Sequence, residues 1–481
     1  MKFLSTRDAL RKPVNFETAV LQGYAEDGGL YVPERIPEFD WNELRKVKDD
    51  YEILAFKVLR PFIGTEELSD VDLRTILNAC YASFPSNDKV KLRKIKEGLF
   101  ILELFHGPTL CFKDLGLPFL VQLVAHFAAK RDESRTLLVA TSGDTGPACV
   151  AATETVNSNH VRVFCCYPKG MVSNFQRAQM RRSKRALIAS FEGGGDDMDA
   201  VLKKIGSDST LKASGVNSYN IARPLAQCVH FIWLSLQFFN NTEPNNIKIV
   251  IPTGAMGNLV AAILAKKIGA PFSKILCACN SNDFTFRAIT LCDATKSSHM
   301  LKTVSDAINI QVPYNFERLL YFAGGVEYSL LMSQIYSGQH VALNNLNLAQ
   351  TLALEAVRVD DQRTLEAISF FSHDNFIPDP HTAVALAATQ DQGWCNTDLR
   401  DSISTVVVLA TAHARKFKDV VLPVVGEERW RTYIGNSSDP LLPSNHLSFN
   451  RISPDEDLTL AQQRWEQQLR NLLEDASLWD V

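Results

Sequence analysis

The chain has 481 residues, 46% of them hydrophobic and 22% charged, with a net charge of −4 at pH 7. That is ordinary globular composition, long enough for two or three compact units whose cores need no disulfide or metal staples. The mixed, near-neutral charge lacks the basic bias of nucleic-acid binding, and no apolar run approaches the ~20 residues that span a bilayer.

The ten cysteines include no Cys-x-x-Cys pair. Cys165, Cys166, Cys277 and Cys279 lie in apolar, strand-like text, which reads as buried thiols of a reducing compartment rather than as disulfides or a zinc site. No metal is expected. The opening residues carry no apolar secretory core, so a cytoplasmic protein is expected. Two basic runs, 89–96 and 177–185, read as a half-buried strand and as the wet face of a helix.

In chain order, residues 1–90 form a distinct opening of helical text broken by Asp27-Gly28-Gly29, a turn that feeds a short extended segment at 30–32. Ser86-Asn87-Asp88 marks the expected boundary with a second region, 91–481. There, β-rich runs at 99–105, 136–141, 161–167, 186–191, 247–251, 274–278 and 405–410 alternate with helical text, including 115–130, 147–156 and 259–268. Such alternation predicts an α/β fold of parallel sheets covered by helices. Sheets of this kind bind ligands at the C-terminal ends of their strands. Residues 281–400 read as mostly helical decoration. The tail from 420 is interrupted by prolines and then becomes a polar helix at 459–475.

Four strand ends carry candidate chemistry. In His106-Gly107-Pro108-Thr109-Leu110-Cys111-Phe112-Lys113-Asp114 the lysine stands where a helix should begin. The positive end of a helix dipole favours a free amine there, as a Schiff-base lysine needs. Taken alone, Lys113 reads better as a surface lysine. Thr141-Ser142-Gly143-Asp144-Thr145-Gly146 offers hydroxyls and free amides at a helix start, either an anion site or a plain N-cap by Asp144 or Thr145. Pro252-Thr253-Gly254-Ala255-Met256-Gly257-Asn258 has glycines at the start of another helix and suits a phosphate, or else a simple tight turn. It matches neither the dinucleotide nor the P-loop pattern. Finally, Thr411 in Thr411-Ala412-His413 either donates to a ring nitrogen or caps the next helix.

Together these segments resemble the threonine synthase family of fold-type II pyridoxal-phosphate enzymes, over nearly the whole chain, and its divergent threonine synthase-like branch most closely. Further segments carry the resemblance: Phe16 to Pro33 with its Asp27-Gly28-Gly29, Asn217-Ser218-Tyr219-Asn220-Ile221-Ala222-Arg223, Asn315-Phe316-Glu317-Arg318 and Asp379-Pro380-His381-Thr382. It implies two parallel-sheet α/β lobes with a smaller N-terminal domain, and pyridoxal 5'-phosphate as cofactor. Lys113 would be the cofactor lysine and proton-shuttling base. Gly254, Ala255, Met256, Gly257 and Asn258 would cup the cofactor phosphate, Thr411 would meet the pyridine nitrogen, and Asp144 would stand beside the cofactor. Ser142, Gly143 and Thr145 would hold the substrate carboxylate, with Arg223 and Arg318 as cations for the phosphate of a small phosphorylated amino acid.

The sequence departs from the family pattern in three places. Ala255 and Met256 replace the Asn and Phe of Gly-Asn-Phe-Gly-Asn; Thr-Ala-His-Pro-Ala-Lys-Phe becomes residues 411–417 with Ala414-Arg415; and Ser-Pro-Ser-Met-Asp-Ile becomes Ser305-Asp306-Ala307-Ile308-Asn309-Ile310. These changes point to a phospho-lyase acting on O-phosphohomoserine or O-phosphothreonine, which yields 2-oxobutyrate, ammonia and phosphate. The alternatives are a true threonine synthase and a catalytically retired scaffold with an interaction or signalling role. The oligomeric state is not legible.

Overall fold

The computed structural model describes all residues except 86–87, 182–184, 195–196, 240–245, 374, 396–404, 436–446, 452, 454 and 476–481. Ser86 and Asn87 of the expected boundary, and the middle of the 177–185 basic run, therefore lie outside the described residues. Every β-rich run read between 99 and 410 is a strand, and the strands assemble into two sheets.

The first sheet has six strands in the order Leu354–Arg358, Phe272–Cys279, Ile247–Pro252, Thr405–Ala410, Leu99–Glu103 and Lys91–Lys96. All neighbours are parallel except the last pair. The central strand Thr405–Ala410 buries Val406, Val407, Val408 and Leu409 on both faces. An unbroken apolar run, rather than alternation, is what such a strand requires. At the edge, Lys91–Lys96 is nowhere fully buried and exposes Lys91, Lys94 and Lys96, which discourages edge-to-edge pairing.

The second sheet runs Leu447–Phe449, Ala186–Phe191, Val161–Pro168, Arg135–Ala140 and Ala213–Gly215, all parallel. In the N-terminal region, Phe3–Ser5 pairs antiparallel with Tyr31–Pro33, so the two-glycine turn does feed an extended segment. Its helices, among them Phe16–Gln22 and Asp70–Tyr81, pack into the same core as the first sheet.

Four strands escaped the sequence reading, the first of them Phe3–Ser5 in the N-terminal region. Leu354–Arg358 falls in text read as helical, while Ala213–Gly215 and Leu447–Phe449 are three residues each, too short for periodicity to show. Among its described residues, the 177–185 run is helical only at its start, in Asn174–Gln179. The tail helix, Leu458–Glu474, is polar outside but buries Ala461, Trp465, Leu469 and Leu473. That stripe at four-residue spacing closes over the second sheet beside Phe191 and Phe449.

All ten cysteines are unpaired thiols, nine of them buried. Among the described residues no helix is long and apolar enough to cross a membrane. Trp465→Ala should destabilise the chain by about 3–5 kcal/mol, as loss of a fully buried indole does. Chemical denaturation monitored by circular dichroism checks this.

Candidate active site

Four chain segments converge where strands end. Leu99–Glu103, Thr405–Ala410 and Ile247–Pro252 of the first sheet lead to Lys113, Thr411 and the 253–258 turn; Arg135–Ala140 of the second leads to Ser142 and Asp144. A single cavity is lined by Lys113, Ser142, Asp144, Thr145, residues 252–259, Arg223 and Thr411. All four strand ends singled out in the sequence therefore meet at one place.

Lys113 is set by its own loop. It sits in a short 3-10 turn, Phe112–Leu115, directly before the helix Leu117–Lys130. Leu110, just upstream, takes a left-handed backbone (φ 61°), a conformation unfavourable for leucine that neighbours must enforce. The buried Asp114 supplies one constraint, accepting from the Thr109 N–H at 2.8 Å and the Thr109 hydroxyl at 2.6 Å. Phe112 N–H donates to the Thr411 carbonyl at 2.8 Å and stitches the loop to the neighbouring strand end.

Asp144 joins the two sheets. Its Oδ2 lies 3.5 Å from Lys113 Nζ, and its Oδ1 accepts from Lys416 Nζ at 3.0 Å and Gln176 Nε2 at 2.9 Å. Lys416 is wholly buried, and its other two donations go to the Thr109 carbonyl at 2.6 Å and Gln179 Oε1 at 3.0 Å. Burial pushes the Asp144 carboxyl up, but Lys416 and Lys113 outweigh it and hold it well below the usual carboxylate range. Burial likewise opposes the Lys416 charge, and Asp144 more than restores it. The carboxylate is thus spent on cations, and the plain N-cap alternative is not what forms: the helix Thr145–Glu154 has no side-chain cap.

The 253–258 turn is shaped for close approach. A Cβ on Gly254 would lie 2.9 Å from Ile308 Cα, and one on Gly257 2.5 Å from the Ser218 side chain. Between them Met256 occupies the left-handed region (φ 61°), and the helix Gly257–Ile268 begins without a side-chain cap. Asn315 Nδ2 holds the Ala255 carbonyl at 2.9 Å, so the amides rather than the carbonyls are left for a ligand. Burial lowers His230 to about 3 and keeps its ring neutral. It lies 3.0 Å from Asn258 Oδ1, and the Asn258 Nδ2 atom is buried without a partner. Uncapped helix amides and an orphaned amide N–H in one cavity fit a bound phosphate.

The next 3-10 turn, Ala414–Phe417, is capped by His413, whose ring accepts from Arg415 N. Thr411 is thus free of the capping role and lines the cavity.

Two expected residues fall elsewhere. Arg318 does not line the cavity; it is fully buried and donates to the carbonyls of Tyr31, Ser218 and Tyr219 and to Asn315 Oδ1. With its donors spent on backbone it is a clamp between the N-terminal region and the site, which corrects its assignment to substrate. Gly143 also lies outside the lining, its N–H donated to Thr141 Oγ1 at 3.0 Å. Conversely, the cavity includes Gln227, Tyr314, Asn217, Ser218 and His381, and Lys416 braces it. Gln227 follows Arg223 by one turn of the helix Ala222–Gln237, so the i, i+4 spacing already placed it on the same face. Among the described residues no group of three His, Cys, Asp or Glu side chains is arranged to hold a metal ion.

Two parallel-sheet lobes that meet at strand ends around a lysine and a phosphate-shaped helix start define a fold-type II pyridoxal-phosphate enzyme. The family model for "Pyridoxal-phosphate dependent enzyme" matches residues 87–412, and that for "Threonine synthase N terminus" matches 2–81. The chain belongs to the threonine synthase family, and its cofactor is pyridoxal phosphate. It is 31% identical to threonine synthase of Saccharomyces cerevisiae, over 87% of this chain and 88% of that one. It is also 31% identical to human threonine synthase-like 2, over 88% of this chain and 89% of that one. The structure superposes on the pyridoxal-phosphate-bound threonine synthase of Brucella melitensis with a TM-score of 0.80 at 29% identity, covering 98% of this chain and 100% of that one.

Lys416→Ala should cost about 3–5 kcal/mol, because it strands a buried carboxylate. The Lys416→Met, Asp144→Asn double variant should recover part of that loss in denaturant unfolding. The depressed Asp144 carboxyl contributes stability that is present above its unfolded value of about 4 and is lost as pH falls through its folded value. The stability gap between the native chain and Asp144→Asn should therefore narrow below pH ~4.

Proposed function

We propose that the chain eliminates phosphate from O-phosphohomoserine, O-phosphothreonine or both, and releases 2-oxobutyrate and ammonia. The observation that carries a phosphorylated amino acid as substrate is one wall of the cavity. There Arg223 Nε and both polar atoms of Gln227 are buried without hydrogen-bond partners, on residues that are 2% and 1% exposed. Buried polar groups left unpaired cost stability, and a phosphate or carboxylate satisfies them.

In this reading Lys113 is the cofactor lysine, and residues 254–258 hold the cofactor phosphate through backbone amides and Asn258. The Thr411 hydroxyl meets the pyridine nitrogen as a neutral partner. Pyridoxal phosphate, when bound, supplies an electron sink for the bonding pair left at Cα. Lys113 removes the Cα proton with its free amine and returns protons to the carbon chain. Asp144, kept ionised by Lys416, fixes where that amine stands. Ser142, Thr145 and the amides that begin Thr145–Glu154 bind the substrate carboxylate. Arg223 and Gln227 take the departing phosphate, which leaves with the C–O bonding pair.

One water is consumed whichever product forms. Added at Cβ, it gives threonine; added at Cα after release, it gives 2-oxobutyrate and ammonia. Ala255 and Met256 in the turn, and Asp306 in the segment packed on it, depart from the family pattern beside the substrate space, and they support loss of the Cβ step. The synthase reading is supported by the relatives named threonine synthase, 31% and 33% identical over 87% and 88% of this chain.

Incubation with each phospho-amino acid, with phosphate, 2-oxobutyrate and threonine measured together, tests the proposal. Threonine as the main product replaces the lyase reading by the synthase one. Lys113→Ala should abolish borohydride fixation of the cofactor and slow phosphate release about 10²–10⁴-fold. Gln227→Leu should raise KM about 10-fold or more while the cofactor absorbance band stays unchanged.

A further inference from the structure

His381 stands at the start of the helix Pro380–Asp391 and faces the cavity between two carboxylates. Its Nδ1 lies 2.7 Å from Asp379 Oδ1, and Asp379 is itself fixed by the helix-start amides of His381 and Thr382. Its Nε2 accepts the Ala307 backbone N–H at 3.0 Å. An accepting Nε2 carries a lone pair, so in this geometry the ring is neutral with its proton on Nδ1.

The arrangement has a second solution. Asp306 Oδ1 lies 3.6 Å from Nε2, just beyond hydrogen-bond reach, and is buried without a hydrogen-bond partner. A proton added at Nε2 cannot share its position with the Ala307 N–H. It displaces that amide and turns to the Asp306 oxygen, which has only a few tenths of an ångström to close to come within hydrogen-bond reach. The neutral ring satisfies Ala307 and leaves Asp306 orphaned; the charged ring does the reverse.

The moving part is short and adjoins the phosphate turn. Asn280 Nδ2 anchors Ser305 Oγ at 3.0 Å and Asn309 Oδ1 at 2.8 Å, and the turn Asp306–Ile308 between them is bridged by its own backbone, Ile308 N–H to the Ser305 carbonyl and Asn309 N–H to the Asp306 carbonyl, so that it shifts as one unit. Ile308 packs directly on Gly254, and Ala307, Ile308 and Ile310 line the cavity.

We propose that Asp306 is a positioning residue for the cofactor site: through His381 it sets the 306–308 turn in one of two positions against Gly254, chosen by whether His381 Nε2 bears a proton. The charged groups facing the ring are Asp379 from its own helix start, Asp306 from the turn, and Asp144 from across the cavity. The nearby cations Lys113 and Lys416 are bound to Asp144, and the Phe417 ring, 4.8 Å away, closes the remaining side. Burial disfavours the charged ring, but Asp306 and Asp379 outweigh it and raise His381 to about 9. The charged, Asp306-bound state therefore prevails at neutral pH and gives way to the Ala307-bound state as pH rises through that value. The proposal needs the cofactor site but not the identity of the product.

The test uses the full chain loaded with pyridoxal phosphate. Long-range proton–nitrogen spectra of protein labelled with ¹⁵N-histidine, with His381→Gln for assignment, follow the ring across pH 6 to 10, and cofactor release is measured by fluorescence over the same range. The expected result is a His381 titration above pH 7, with an inflection in the cofactor dissociation constant at the same pH. In Asp306→Asn both inflections should move down by more than one pH unit, and in Asp306→Glu both should return towards the native position. A His381 titration that Asp306→Asn leaves in place overturns the proposal, as does a cofactor affinity with no inflection where His381 titrates.

Discussion

The active-site architecture depends on one buried carboxylate. Asp144 comes from the sheet built around Arg135–Ala140, and both of its cations, Lys113 and Lys416, come from strand ends of the other sheet. Taking three charges out of water is expensive, and mutual attraction offsets the cost only where geometry and extra hydrogen bonds are good. Here the extra bonds are present: Gln176 to the carboxylate, and the Thr109 carbonyl and Gln179 to Lys416. The cluster therefore works less as glue than as a register mark. In the observed placement of the two sheets all three charges are satisfied, and the cavity lies beside them.

The same logic explains the strained backbone around it. Leu110 and Met256 are both held left-handed, one leading to Lys113 and the other within the 253–258 turn. Each costs on the order of 1–3 kcal/mol, tolerated because neighbouring segments leave no alternative path. Arg318 contributes at one remove, with four hydrogen bonds. Its donors reach Tyr31 in the N-terminal region, the Ser218–Tyr219 backbone and Asn315, which holds the Ala255 carbonyl. A residue expected to grip substrate instead ties the N-terminal region, through Asn315, to the 253–258 turn.

Much of this was legible in the sequence, for reasons that also mark its limits. Parallel strands buried on both faces must be continuous apolar runs, so 405–410 or 161–167 could hardly be anything else. Helix starts after such strands are where ligands bind, which brought Lys113, Ser142, Asp144, Gly254 and Thr411 forward before any geometry was known. What sequence could not supply was the destination of individual donors. Arg223 and Arg318 look alike as buried arginines in motifs, yet one keeps an unpartnered Nε on the cavity wall and the other spends its donors on carbonyls. Lys416 and Gln176 are three-dimensional neighbours of Asp144 with no local periodicity to announce them. Asp306 stood out as a departure from a pattern, but its consequence lies in a histidine 75 positions further on.

The order in which the chain visits its two sheets has a consequence for its making. The second sheet is laid down between residues 135 and 215, but its outer strand, Leu447–Phe449, and the covering helix Leu458–Glu474 come last. On a ribosome, Ala186–Phe191 therefore waits as an open, apolar edge while more than half the polypeptide is still to be synthesised. Open edges of this kind recruit other chains. The nascent chain thus carries this open edge through more than half of its synthesis, and a stop codon ahead of Leu447 would leave it uncovered for good.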